Sequence, residues 1–247
     1  MIRTIYIGGY SLSSLFFSLS ELNRVRNLPP LMSPAKRDKE VHDKPKKWGR
    51  KVIELTGSKV EVNKKERLLE GPVLFVSNYQ GPYDIPALLG YIQKPFGFFS
   101  KQKFENYPLW NQWMNSMHCV LIDRNDSTRM KEAYRTGIHL LTQGHSLLVF
   151  AERKEKGSKD LHHLNGEDLS MAVEAGVPIV PVSIDGTKEI DEQGTFRIRP
   201  STLSVHIGSP IREHLDDTIT KTQLIKKVEE ALQGGLLKED GEKEDQL

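Results

Sequence analysis

Residues 73–89 read VLFVSNYQGPYDIPALL and carry the strongest structural signal in the chain. The apolar run Val73–Val76 is typical of a buried strand, and the residues from Asp84 onward are typical of the start of a helix. A strand, a turn and a helix in this order place the turn residues at the edge of a sheet, where open α/β proteins bind their ligands. We therefore expect a functional site that includes residues 77–84.

Strands and helices alternate through most of the chain after Ser58. The predicted strands are Val60–Val62, Val73–Ser77, Phe96–Ser100, Cys119–Ile122, Leu147–Phe150, Ile179–Ile184 and Leu203–Ile207. The predicted helices span residues 84–92, 107–117, 128–143, 167–175 and 220–233. Short apolar strands separated by helices indicate a sheet that is covered on both faces. The predicted fold class is therefore α/β, with a mostly parallel sheet flanked by helices.

The pattern along the chain divides it into three regions. Residues 1–57 are predicted to form an N-terminal helical segment, residues 58–237 an α/β domain, and residues 238–247 a charged tail. Gly57 is a suitable C-terminal cap for the last helix of the first region. The tail has no apolar pattern, so we expect it to be disordered.

The N-terminal segment carries an amphipathic pattern. Residues 5–22 are moderately apolar, but glycines, serines and Glu21 interrupt them, whereas a spanning helix needs about 20 mostly apolar residues. One predicted helix face carries Leu12, Leu15, Phe16, Leu19 and Leu22, and the arginines that flank it are Arg3, Arg24 and Arg26. This pattern favours a helix that docks in a membrane interface. The alternative is an amphipathic helix that packs on the core of the domain itself.

Composition excludes several classes of protein. The 247 residues carry a net charge of only +2, which is too balanced for a nucleic-acid-binding protein, so we expect no nucleic-acid partner. The single cysteine, Cys119, excludes an internal disulfide and a cysteine-based zinc site. His162 and His163 are adjacent but lack a third ligand in their polar segment, so no metal is expected there.

Charged residues follow three other predicted strands. Lys101 and Arg124 come at the ends of their strands, where their side chains are suited to binding a phosphate group, although a lone arginine there often forms a surface salt bridge instead. Glu152 follows a third strand and is suited to ordering the loop after it. Pro181 interrupts a fourth apolar strand, which requires a sheet edge, a bulge or a bend at that position.

These blocks, in this order and spacing, resemble those of the 1-acylglycerol-3-phosphate acyltransferase family over about residues 58–210. The residues that match the family's four motifs are Ser77-Asn78 and Asp84 for the first, Ile122 and Arg124 for the second, Phe150 and Glu152 for the third, and residues 177–182 for the fourth. The third motif is degenerate, because Ala151, Arg153, Lys154 and Glu155 replace the residues usual in the family.

The resemblance implies transfer of an acyl chain to lysophosphatidic acid, which yields phosphatidic acid. Acyl-CoA or acyl-carrier protein is then the co-substrate, and no separate cofactor is needed. It implies phosphate binding by Arg124, Lys101 and Arg153, and supporting roles for Asn78, Glu152 and Pro181. It also implies a peripheral, monotopic protein on the cytoplasmic face of the cell membrane.

The departure that matters most for activity is Tyr79, because the family has a histidine there as the general base, oriented by the residue that matches Asp84. A phenol with a pKa near 10 is ionised in only about one molecule in a thousand at pH 7. Loss of a general base lowers a rate by about 10²–10⁴-fold. We therefore expect weak or absent turnover.

Three alternatives follow from this substitution. The first is a catalytically inactive lipid-binding or regulatory paralogue that uses the same pocket. The second is that His118 replaces the missing base, against the simpler interpretation of His118 as a structural residue. The third is an enzyme of the α/β-hydrolase type, but the sequence contains no Gly-x-Ser-x-Gly motif.

Overall fold

The computed structural model describes residues 2–64, 69–123, 125–151, 164, 166–191, 197–216 and 218–244, with the backbone alone for Lys103 and for residues 237–244. Within these residues the α-helices are α1 (Ile2–Phe17), α2 (Leu19–Arg26), α3 (Pro34–Thr56), α4 (Asp84–Tyr91), α5 (Pro108–Ser116), α6 (Ser127–Thr142), α7 (Gly166–Ala175) and α8 (Lys221–Glu244). The strands are β1 (Lys59–Lys64), β2 (Leu74–Ser77), β3 (Gly97–Lys101), β4 (Val120–Ile122), β5 (Leu147–Phe150), β6 (Ile179–Asp185) and β7 (Thr202–Ile207). A 3₁₀ turn, Gln102–Asn106, follows β3.

The seven strands form one sheet in the order β1-β7-β6-β2-β5-β3-β4. All pairs of neighbouring strands are parallel except β6 and β7, which are antiparallel. The predicted α/β class with a mostly parallel, helix-flanked sheet is thus confirmed. Strand β2 lies between β5 and β6, with Ser77 opposite Phe150 on one side and Val182 on the other. The carboxyl ends of these three strands therefore meet at one edge of the sheet.

The core has two layers, one on each face of the sheet. Alternate residues of a strand point to opposite faces, so Phe75 packs with Ile53 of α3 and Leu88 of α4, whereas Leu74 packs on the other side with residues of α6, α7 and α8 such as Leu169. These side chains are almost completely buried. Because both faces are covered at the centre of the sheet, β2, β5 and most of β6 are apolar runs, which is why the sequence predicted them well.

The N-terminal region differs from the single amphipathic helix expected over residues 5–22. It forms two helices, because the buried Ser18 hydroxyl donates to the Leu15 carbonyl at 2.7 Å and accepts from the Trp113 indole at 2.8 Å. Leu22 is buried in the core, whereas Leu12 and Phe16 are exposed. Part of the predicted apolar face is therefore buried in the core, and the rest is exposed to solvent.

The arginines that flank this region have protein partners. Arg3 donates to the carbonyl of Thr56 at 3.0 Å, at the end of α3, and Gly57 caps that helix in the left-handed conformation (φ 81°) as predicted. Arg24 forms ion pairs with Glu21 and Glu40. These contacts join α1 and α2 to α3.

Helix α8 is longer than the predicted helix over 220–233, and it continues through Glu244 where the sequence predicts a disordered tail. A Gly-Gly pair usually marks a helix end, but here Gly235 lies against β6, and the Ser183 hydroxyl donates to the carbonyl of Leu232 at 2.7 Å. The residues that follow Gly235 contain no proline and favour helix. The absent side chain of Gly235 therefore allows close contact with the sheet.

The Gly-Gly pair provides a matched test of this docking. A Cβ at Gly235 would overlap the Ser183 side chain, whereas a Cβ at Gly234 would meet no atom within 4 Å. We expect Gly235→Ala to lower the free energy of unfolding by about 1–3 kcal/mol, as overpacking does. We expect Gly234→Ala to raise it by up to about 1 kcal/mol, as in a solvent-exposed helix. Urea denaturation of both variants measures this, and equal effects would contradict the docking.

Candidate active site

The turn after β2 is held to β6 by Asn78. Its side chain is buried, with Nδ2 donating to the carbonyl of Ile184 at 2.8 Å and Oδ1 accepting from the Ile184 N–H at 2.8 Å. An amide side chain that makes both bonds to one residue continues the strand pairing beyond the end of β2. Asn78 thus fixes the backbone immediately before Tyr79.

The carboxylate of Asp84 lies completely buried at the start of α4. Its Oδ2 accepts from the backbone N–H groups of Gln80 at 2.6 Å and Gly81 at 2.9 Å, and its Oδ1 accepts from the hydroxyl of Thr187. Hydrogen bonds to a charged acceptor are about twice as strong as neutral ones, so they offset the cost of burying the charge. The carboxylate therefore closes the turn and joins it to the segment after β6.

A second set of bonds reinforces the same connection. Gln80 Nε2 donates to the Asp185 carboxylate at 2.6 Å, and Gln80 Oε1 accepts from the Thr187 N–H at 3.2 Å and the Thr187 hydroxyl at 3.0 Å. Sequence reasoning missed Gln80, Asp185 and Thr187. The available signal was the polar run Asp185-Gly186-Thr187 at the carboxyl end of the apolar strand β6, which parallel pairing brings to the same edge as Tyr79.

Tyr79 lies at the mouth of this edge, with 44% of its surface exposed. Its ring packs edge-to-face on Phe150 at the end of β5, with ring centroids 5.3 Å apart. Partial burial and the negative charge of Asp84 raise the pKa of the Tyr79 phenol above its ordinary value. The phenol is therefore protonated at neutral pH and is a poor proton acceptor. Tyr79 and Asp84 lie on the same turn at this edge, and their predicted catalytic roles stay predictions.

The predicted phosphate-binding residues are described only in part. Lys101 is exposed at the end of β3, opposite Ile122 of β4 and at the same sheet edge as Tyr79. Strand β5 separates β3 from β2, so Lys101 lies beyond Phe150 as seen from the turn. Arg124, Glu152 and Arg153 lie outside the described residues, and their roles stay predictions.

Pro181 lies inside β6, which is an interior strand and not an edge. On β6, Ile179 and Val182 are three residues apart. Their partners on the opposite segment, Ile211 and Ile207, are four residues apart. That extra residue forms a bulge beside Pro181, whose carbonyl accepts from the Gly208 N–H at 2.9 Å. Of the three possibilities for Pro181, the structure has the bulge.

His118 cannot act as a base beside Tyr79. It lies two residues before β4, and its ring packs on that of His145, which lies two residues before β5. Both histidines thus lie at the amino ends of parallel strands, on the sheet edge opposite Tyr79. The structural interpretation of His118 agrees with this placement.

Proteins of known family are similar to this chain. The family model described as Acyltransferase matches residues 59–185, about half of the 247 residues. The 1-acyl-sn-glycerol-3-phosphate acyltransferase of Limnanthes alba is 28% identical over 163 residues, covering 65% of this chain and 57% of that relative. A Mycoplasma genitalium protein, named probable 1-acyl-sn-glycerol-3-phosphate acyltransferase, is 30% identical over 183 residues, covering 72% of this chain and 66% of that relative.

The fold is similar to that of the 1-acyl-sn-glycerophosphate (LPA) acyltransferase PlsC from Thermotoga maritima, known from a crystal structure. The TM-score is 0.80 at 24% sequence identity, covering 97% of this chain and 95% of that chain, and this likeness concerns the fold. The chain spans 57% and 66% of the length of the two curated relatives. Because the family model matches half of the chain, including β2 and the turn that carries Tyr79 and Asp84, this chain belongs to the acyltransferase family.

Proposed function

We propose that this chain binds a lysophosphatidic-acid-like acceptor and an acyl thioester, acyl-CoA or acyl-carrier protein, and transfers the acyl chain slowly to give phosphatidic acid. The observation that carries the proposal is the Asp84 carboxylate, which is held by two backbone N–H groups next to position 79 in a member of the acyltransferase family. The turn therefore holds a carboxylate in a fixed position close to Tyr79, and this geometry supports an active site there.

The chemistry explains why turnover should be slow. The acceptor hydroxyl attacks the thioester carbonyl carbon, the carbon–sulfur bond breaks, and the hydroxyl proton ends on the departing thiol. A base next to the hydroxyl lowers this barrier, but the Tyr79 phenol has a raised pKa and keeps its own proton. Positioning of the two substrates then provides the remaining rate enhancement.

The raised pKa of Tyr79 also favours the second candidate function, an inactive lipid-binding or regulatory paralogue. In both proposals Lys101, Arg124 and Arg153 bind the phosphate of the acceptor, with Glu152 ordering the loop after β5. The two proposals differ only in whether acyl transfer takes place. Transfer by the unmodified chain above the rate in buffer would reject the inactive paralogue.

Restoring the imidazole tests the proposed role of position 79. We expect Tyr79→His to raise the rate of acyl transfer from acyl-CoA to lysophosphatidic acid by about 10²–10⁴-fold. The rate should increase with pH through the imidazole pKa, about 6.5, since only the neutral form accepts a proton. Thiol release measures the rate.

Tyr79→Phe is the matched control, because it keeps the ring against Phe150 and removes the hydroxyl. We expect it to retain the low rate of the unmodified chain. A large loss in this variant would show that the phenol takes part in the reaction. An unchanged rate in Tyr79→His would contradict the assignment of a general base to this position.

Removing the Thr187 hydroxyl tests whether its hydrogen bond to the Asp84 carboxylate stabilises the fold. Thr187→Val keeps the shape of the side chain but leaves a buried carboxylate oxygen with one donor fewer. We expect the free energy of unfolding to fall by about 1.5–3 kcal/mol, as for hydrogen bonds to charged groups. Thr136→Val, at an exposed position on α6 where the hydroxyl donates to the Glu132 carbonyl, should change it by less than about 0.5 kcal/mol. Equal effects in urea denaturation would contradict this role.

We propose peripheral association with the cytoplasmic face of the cell membrane through α1. The residues Ile2, Ile5, Leu12, Phe16 and Phe17 are mostly exposed, and the first four recur at helical spacing. This is an apolar stripe of the kind that inserts into a lipid interface. In the described part of the chain no helix has the length and apolar character needed to cross a bilayer.

Substitutions in this stripe test membrane binding without disturbing the core. We expect the triple variant Ile5→Ser, Leu12→Ser and Phe16→Ser to reduce co-sedimentation with phosphatidylglycerol vesicles at least tenfold, since each side chain contributes about 1.5–3 kcal/mol when fully buried. Val173→Ser, at an exposed apolar position on α7, should leave binding unchanged. Equal binding by the triple variant and the unmodified chain would reject docking through α1.

A further inference from the structure

A cluster of Asp38, His118 and His145 lies at the amino ends of β3, β4 and β5. Asp38 belongs to the first turns of α3, and His118 and His145 lie two residues before β4 and β5, respectively. This edge of the sheet is opposite the one that carries Tyr79. The cluster is therefore separate from the candidate active site.

The three side chains converge closely. Nδ1 of His145 lies 2.9 Å from each carboxylate oxygen of Asp38, and Nε2 of His118 lies 3.8 Å from Asp38 Oδ1. The two imidazole rings stack with centroids 3.8 Å apart. One donor atom from each residue lies within 4.8 Å of the others. Side-chain exposures of 13%, 27% and 11%, for Asp38, His118 and His145, show that the cluster is largely removed from solvent.

His118 has two features that its packing does not explain. Within the described residues it is the one non-glycine residue in the left-handed region, with a φ of 60°. Its Nε2 is buried, and no hydrogen-bond partner for it occurs in the part of the chain that the structure describes. Backbone strain and a buried polar atom without a partner are both destabilising, and they concentrate where a ligand binds.

We propose that Asp38, His118 and His145 bind one divalent transition-metal ion, with Zn²⁺ the best match and a water molecule as fourth ligand. Two imidazoles and one carboxylate form a donor set that Zn²⁺ accepts. Bonds of about 2.0–2.2 Å place neighbouring ligand atoms about 3.3–3.6 Å apart in a tetrahedral site. The distance from Asp38 to His145, 2.9 Å, is shorter than this spacing, and the distance from Asp38 to His118, 3.8 Å, is longer, so ion binding requires both contacts to adjust.

Protonation is compatible with this proposal. Burial and the neighbouring His145 lower the pKa of His118, so its imidazole is neutral and has a lone pair to donate. The hydrogen bond between His145 and Asp38 is exchanged for two metal bonds, and the ring proton of His145 is then carried on Nε2, which leaves a lone pair on Nδ1 for the ion. Two positive groups act on the cluster. Arg37 acts on His118, and Lys94 interacts with Asp38. Burial lowers the pKa of Lys94.

A third histidine nearby is already engaged. His42 lines a small recess together with Asp38 and His145, but its Nε2 lies 2.7 Å from the carbonyl and 2.8 Å from the backbone nitrogen of Phe96. Water is therefore the proposed fourth ligand of the ion. The ion would join α3 to the segments that precede β4 and β5, so its role is to stabilise the attachment of the N-terminal helices.

Titration of the full chain with Zn²⁺ tests the proposal. We expect one ion per chain by isothermal titration calorimetry, an intense visible absorption with Co²⁺ in its place, and a higher Tm with Zn²⁺ present. His118→Asn should lower the affinity at least tenfold and abolish the Tm increase. Asparagine tolerates the left-handed conformation, so this variant should keep its fold, which the Tm without metal measures. Asp38→Asn provides an independent second variant.

The other histidines provide the controls. His139→Asn, at an exposed position on α6, and the double variant His162→Asn with His163→Asn, outside the described residues, should both bind Zn²⁺ as the unmodified chain does. The proposal is overturned if no stoichiometric binding occurs, if His118→Asn and Asp38→Asn bind normally, or if binding is lost with His162 and His163. In the first case the cluster is a hydrogen-bonded structural contact without an ion.

Discussion

The buried carboxylate of Asp84 determines the geometry of the candidate active site. An ionised carboxylate removed from water is strongly destabilising unless hydrogen bonds compensate it. Two backbone N–H groups of the turn and the hydroxyl of Thr187 provide that compensation. Because these donors come from the segments after β2 and β6, the carboxylate couples the two strand ends. Tyr79 therefore has a defined place at the sheet edge.

The same arrangement makes the frame of the turn independent of the side chain at position 79. Asn78 and Asp84 hold backbone groups, so their contacts do not involve that side chain. The Tyr79 ring packs on Phe150 and remains half-exposed. The contacts that hold the turn are thus separate from those of the Tyr79 side chain.

The sequence predicted the fold well, because strands buried on both faces are continuous apolar runs, as in β2 and β6. It also placed Asn78, Tyr79 and Asp84 together, since they belong to one turn. It did not predict the break at Ser18 or the extension of α8 past Gly235, because both depend on tertiary partners: Trp113 for the first and Ser183 for the second. The hydrogen bond between Gln80 and Thr187 was not predicted, because these residues are 107 positions apart in the chain.

The order of residues along the chain by itself determined the α/β class, the position of the turn after β2 and the presence of Tyr79 and Asp84 in that turn. These depend on neighbouring residues and on the type of side chain. Only the tertiary structure decided which segments meet across the sheet: Thr187 with Asp84 at one edge, and Asp38 with His118 and His145 at the other. Hydrogen bonds and ligand sets join atoms that are close in space, and the order of strands in the sheet, which the sequence does not state, sets those distances.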